Sequence, residues 1–260
     1  MGEKATAEEL RSSWKRLIAA HDAEPVTKFL SLHSGLPGPR GNITLAAEAS
    51  KLIAEKWEAE KPFLRSLVTG WASSGDEYLM FVAHMALGYV LRVSPEEADW
   101  AVPILHEGNF SKPWRAREGV TFALEALLDG RCGFTLDLID SWCADRQPIL
   151  VRNAIVALAH PAQLRESVEQ LDALKKYNGV GMGLVAEAVD ATPDLAMLGR
   201  SLGFTLSVAA EADEGYLDQL EAWVRSGVKP WRSIIRENLG KARISKKYPG
   251  RVASLRALLG

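Results

Sequence analysis

A chain of 260 residues with 47% hydrophobic and 25% charged side chains has the make-up of a domain that buries a proper core. This excludes extended disorder except at the ends, and no apolar run approaches the ~20 residues that cross a bilayer. Charged side chains interrupt residues 1–20 where a signal peptide would be apolar, so the sequence points to a cytoplasmic protein without membrane contact.

The net charge of −2 is unevenly spread. From Arg225 onward, ten basic side chains (Arg225, Lys229, Arg232, Arg236, Lys241, Arg243, Lys246, Lys247, Arg251 and Arg256) face Glu237 alone. The segment 225–260 thus carries +9 and the rest of the chain −11. A basic end on an acidic body suits a nucleic-acid or other anion contact. It equally suits a capping region docked on acidic neighbours.

Apolar residues recur with helical period almost throughout, and no segment alternates as a strand would. The predicted helices are 6–22, 25–32, 43–59, 62–71, 76–92, 95–107, 113–128, 134–144, 148–159, 162–175, 180–190, 193–210, 214–226, 229–243 and 249–258. Thr6 with Glu9, and Ser94 with Glu97, read as capping boxes, the second followed by Pro95 at a position that needs no N–H. Thr192-Pro193 repeats that logic, and Gly108-Asn109 and Asn178-Gly179 read as helix exits. The loop 33–42 holds three glycines and two prolines beside Arg40. Asn42 is placed to cap the helix that follows. Free amides at that helix start, next to the Arg40 guanidinium, suit a phosphate or carboxylate. A rigid turn whose Arg40 bonds nearby carbonyls fits the same residues.

An internal repeat organises the chain. Lys112-Pro-Trp-Arg-Ala-Arg117 opens one helix, Gln147-Pro-Ile-Leu-Val-Arg152 opens another, and Lys229-Pro-Trp-Arg232 echoes the first. The prolines at 113, 148, 193 and 230 therefore mark units of two short helices, with an irregular unit between 160 and 193. In the helix from Pro113, residues Ala116, Val120, Ala123, Leu124, Leu127 and Leu128 form one apolar stripe, which stacking on neighbouring units would bury.

The pattern P-x-x-(A/V)-R in Pro113–Arg117 and Pro148–Arg152 resembles the second helix of HEAT repeats. The blocks Ser34–Asn42, Leu198–Val208 and Trp231–Leu239 are similar to those of a bacterial and archaeal group of HEAT-repeat proteins without an assigned activity. The resemblance spans residues 30 to 247. It implies an all-α fold: one right-handed α-α superhelix, an armadillo-like solenoid of about seven helix pairs over 1–260. In such a solenoid the second helices line a concave face. The polar positions that would share it are Trp114, Arg117, Glu118, Thr121 and Glu125, with Arg152, Asn153, Arg200, Trp231, Arg232 and Arg236 from the equivalent helices. Arginines with two tryptophans in a groove suit a phosphodiester backbone. Arginines paired with acids of the adjacent repeat, and tryptophans covering helix starts, suit a structural surface. HEAT-like alkylpurine DNA glycosylases combine Trp, Asp and Arg on this face. Here no aspartate stands in the matching strip, and Glu118 would have to substitute.

No catalytic constellation, cofactor loop or metal-ligand set stands out. The histidines His21, His33, His84, His106 and His160 are scattered singly, and His84, inside an apolar helix, reads as a hydrogen-bonded core residue. Cys132 and Cys143 lack the spacing of a zinc site and read as buried thiols. Gly179-Val-Gly-Met-Gly183 follows a helix, not a strand, and is no dinucleotide loop. Asn238, on an apolar stripe with Ile234 and Ile235, requires polar partners from a neighbouring loop backbone. Trp14, Trp57, Trp71, Trp100, Trp142 and Trp223 read as packing residues. The sequence thus favours a non-enzymatic adaptor that holds a protein or peptide partner in its groove. The alternative is a nucleic-acid-binding protein acting through the basic C-terminal helices.

Overall fold

The computed structural model describes residues 3–38 and 41–260, with side chains from Glu8. The described residues form fourteen α-helices and no strand, so the fold is all-α. The helices gather into two compact units, 1–131 and 132–260.

The first unit holds α1 (Glu3–Ala20), α2 (Glu24–Leu32), α3 (Ile43–Ala72), α4 (Glu77–Val93), α5 (Ala98–Gly108) and α6 (Trp114–Leu128). Its centre is α4, which is buried around nearly its whole circumference from Tyr78 to Leu91 and packs against α2, α3, α5 and α6. A helix apolar on all sides needs such a surround. Its approach to α6 is set by two glycines. A Cβ on Gly88 would lie 2.5 Å from the Ala123 carbonyl oxygen, and one on Gly119 would lie 2.5 Å from that of Phe81. The expected stripe of α6 is buried at every position, from Ala116 to Leu128.

Several boundaries differ from those expected. The helices expected at 43–59 and 62–71 are one element, α3, kinked at Glu60 (φ −125°, ψ 21°). Pro62 removes a helical N–H and its ring crowds the carbonyl four residues back, which opens the backbone there. Ser94 does not cap a helix: its hydroxyl donates to Glu58, and Pro95–Glu97 form a 3-10 turn before α5. The start of α1 at Glu3 puts Thr6 inside the helix, and the Thr6 side chain lies outside those described. Asn42 does cap α3, its Oδ1 accepting from the Leu45 amide at 3.1 Å.

The second unit holds α7 (Cys132–Cys143), α8 (Pro148–Leu158), α9 (Val168–Glu187), α10 (Pro193–Ala212), α11 (Tyr216–Arg225), α12 (Lys229–Leu239), α13 (Ala242–Ser245) and α14 (Pro249–Leu259). Here α10 is central, packing on α8, α9, α12 and α13. Thr192 caps it as expected, accepting from the Leu195 amide at 3.2 Å. Asn178-Gly179 is not an exit, because α9 continues to Glu187. The Asn178 carboxamide is fully buried and accepts from the Thr205 hydroxyl at 2.7 Å, so it serves packing on α10. The helix expected at 229–243 stops at Leu239, and α13 follows after a turn.

Candidate functional site

A cleft of the second unit lies between α9, α11 and α12. It encloses about 700 Å³ and is lined by Lys175, Lys176, Gly179, Glu187, Tyr216, Gln219, Trp223 and Trp231 among others. Three aromatic rings build one wall. Tyr216 meets Trp223 edge-on with centroids 6.1 Å apart, and Trp223 meets Trp231 at 6.0 Å. Trp231 is fixed by its indole N–H, which donates to the Met182 carbonyl at 2.6 Å. Tyr216 is buried, which raises its phenol above the usual range. Trp223 is half-buried and presents part of its indole to the cleft.

The charges around this wall are internally matched. Lys175 bonds Asp213 at 2.8 Å and Asp172 at 3.4 Å. Burial works to lower the Lys175 pKa, but its two carboxylate partners outweigh that and raise it. Lys176 bonds Asp140 at 2.9 Å. Asp140 is held below the usual carboxylate range, first by the Tyr177 hydroxyl that donates to it and then by Lys176. Glu187 bonds Arg146 at 3.1 Å. The cleft is therefore an aromatic slot with a rim of mixed sign. It suits an apolar anchor side chain better than a polyanion.

The residues singled out for the groove are distributed over both units. In the first, the Arg117 guanidinium lies 5.5 Å from the Trp114 ring centroid, and Glu118 pairs with Arg115 on the same helix. In the second, Arg152 is buried and donates to the Asn153 carboxamide at 2.6 Å. Arg200 is exposed on α10. Arg232 and Arg236 meet the end of α14: Arg232 donates to the Leu259 carbonyl at 2.7 Å and Arg236 to the same oxygen at 3.2 Å. Arg256 of α14 donates in turn to the Leu239 carbonyl, at the end of α12, at 2.6 Å. Two helix ends thus exchange guanidinium caps, which satisfy carbonyls that lack intrahelical partners and match the negative pole of each helix. Glu237 pairs with Lys241 at 3.0 Å.

In the loop 33–42, Arg40 lies outside the described residues. Asn42 spends its side chain on the structure, capping α3 and donating to the His33 carbonyl at 3.2 Å. Its own carbonyl accepts from the Tyr78 hydroxyl at 2.7 Å. Asn238 is fully buried and finds its partners on a helix, not on a loop. It accepts from the Ser207 amide and donates to the Leu202 and Ile234 carbonyls, each at 2.8 Å. Cys143 is buried and its thiol is pushed up to about 12, whereas Cys132 is only partly buried. Among the described residues no group of three metal-ligating side chains comes together, and no helix is long and apolar enough to cross a membrane.

Tyr216, Lys175, Lys176 and Gln219 carry no signal that sets them apart in the sequence, and Trp223 reads there as packing. The one available clue was Trp231, whose Lys-Pro-Trp-Arg context placed it at a helix start. No protein-family model matches the chain, and no curated protein is significantly similar to it.

Proposed function

We propose that this chain is a non-enzymatic helical-repeat protein of the HEAT type that holds a peptide segment of a protein partner. The repeat reading is supported by the prolines in register: Pro113, Pro148, Pro193 and Pro230 each stand at or beside the start of a helix. In this reading the helices stack as a right-handed superhelix of about seven pairs. The observation that carries the binding role is the aromatic slot of Tyr216, Trp223 and Trp231, with paired charges at its rim. Aromatic anchors surrounded by compensated polar groups are where interface binding energy concentrates. The partner class is a peptide bearing an aromatic or branched apolar anchor.

The basic C-terminal segment supports this over nucleic acid. Eight of its ten basic side chains have intramolecular partners. Arg225, Lys241, Arg243 and Arg251 meet carboxylates, and Arg232, Arg236, Lys247 and Arg256 meet backbone carbonyls. A photo-crosslinking residue at Gln219, exposed on the slot, tests the proposal directly. We expect a discrete protein adduct in the native cell extract that survives nuclease and disappears with Trp223→Ser. Adducts that vanish on nuclease treatment would establish the nucleic-acid reading in its place.

A further inference from the structure

The first unit contains a second cleft, of about 530 Å³, lined by Thr69, Ala72, Ser73, His84, Pro103, Ile104, Glu107, Gly108, Phe110 and Ser111. Its size falls within the range of small-molecule sites, which pair apolar walls with a few fixed polar groups. Here the fixed group is an imidazole. His84 projects from α4 and is 2% exposed, and its Nδ1 lies 2.9 Å from the Ala116 carbonyl oxygen of α6. A carbonyl only accepts, so Nδ1 carries the proton. Burial depresses the pKa to about 4, against a smaller opposing effect of the Ala116 bond, so the ring is neutral at physiological pH.

The tautomer follows: Nε2 is a bare lone pair. That edge of the ring lies over Gly108, where an added Cβ would sit 2.8 Å from Nε2 and 2.7 Å from Val120. Both His84 and Gly108 line the cleft, and no described residue donates to Nε2. The structure has therefore placed a buried acceptor, locked in one tautomer from behind, at the wall of an apolar cavity. The only ionisable group beside it on the lining is Glu107, whose charge disfavours an anionic guest.

We propose that this cleft is a binding site for a small, uncharged, largely apolar molecule that donates one O–H or N–H to His84 Nε2, of the phenol or indole class. Phe110, Pro103, Ile104 and Ala72 supply flat apolar walls, and Nε2 supplies orientation. The site belongs to the first unit alone and is independent of the peptide-binding proposal.

The probes are phenol and toluene, which share a ring and differ in the donor. Affinities are measured by titration, and the ring nitrogens of His84 are followed by 15N NMR. We expect the apo protein to show His84 protonated at Nδ1. Phenol should then bind roughly fivefold tighter than toluene, the effect of one net hydrogen bond. Phenol should shift the Nε2 resonance while toluene leaves it in place. In His84→Asn the side-chain N–H can still donate to Ala116, but the shorter carboxamide places no acceptor where Nε2 stood, and the preference for phenol should vanish. The proposal fails if neither probe binds at millimolar concentration, if the two bind equally with Nε2 unmoved, or if Nε2 carries the proton in the apo protein. The wild-type comparison decides the matter even if the variant does not fold.

Discussion

Asn238 is buried to the last atom yet uses both ends of its carboxamide, accepting from Ser207 and donating to Leu202 and Ile234. Truncating such a group removes three buried hydrogen bonds, at about 1 kcal/mol each, together with the packing of the carboxamide between α10 and α12. Asn238→Ala should therefore destabilise by about 2–4 kcal/mol in denaturant unfolding. Asn238→Asp should be worse, because it turns the donor into a charged acceptor facing two carbonyls. A neutral effect of either change would mean that the amide bonds are not formed in solution. His84 makes a pH prediction. Its folded pKa of about 4 lies below the unfolded value near 6.5. Between those limits the unfolded chain binds a proton that the folded chain refuses, so stability is lost as pH falls. The slope reaches at most about 1.4 kcal/mol per pH unit. Comparing wild type with His84→Asn between pH 7 and 5 isolates this contribution, and the variant should show the flatter profile.

At the scale of elements, the α4–α6 contact depends on absence as much as on presence. Gly88 and Gly119 let the backbones touch, and a methyl at either position meets a main-chain oxygen that cannot rotate away. Gly88→Ala and Gly119→Ala should each cost more than the gain in helix propensity returns, by roughly 1–3 kcal/mol net. On the same helix Leu124 is 1% exposed. Leu124→Ala should cost roughly 2–5 kcal/mol by lost burial and a residual cavity. Hydrogen exchange would locate each loss, and protection should fall first along α4 and α6. A change below about 1 kcal/mol for Leu124→Ala would show that the stripe is not a core.

At the scale of the molecule, the question is what a +9 C-terminal segment is for. The guanidinium caps exchanged between α12 and α14 give a structural answer. The double variant Arg232→Gln with Arg236→Gln should lower stability by about 1–3 kcal/mol, since two charge-assisted bonds at a helix end are lost. The parent protein should show no salt-sensitive affinity for single- or double-stranded oligonucleotides. If instead stability were unchanged and the parent bound oligonucleotides with a steep salt dependence, the segment would be a nucleic-acid surface and the peptide-binding proposal would fall.

Periodicity, prolines and caps were enough to read the class of fold. The stripe of α6, the Asn42 and Thr192 caps and the buried imidazole of His84 all rest on interactions within a few residues or on burial of a single helix face. Local chemistry determines such features, and the sequence records it directly. The continuation of α9 through Asn178-Gly179, the helix partners of Asn238 and the Ser94–Glu58 bond depend on residues far apart in the chain. So do the aromatic slot and the cleft beside His84. In each, a side chain with several local options takes the one that satisfies a distant buried group, and that choice exists only once the helices pack. Arg232, Arg236 and Arg256 make the division plain. Their charge and helical register were legible one residue at a time, but whether they faced a ligand or another helix end was decided by the tertiary structure, which brought unsatisfied carbonyls within reach.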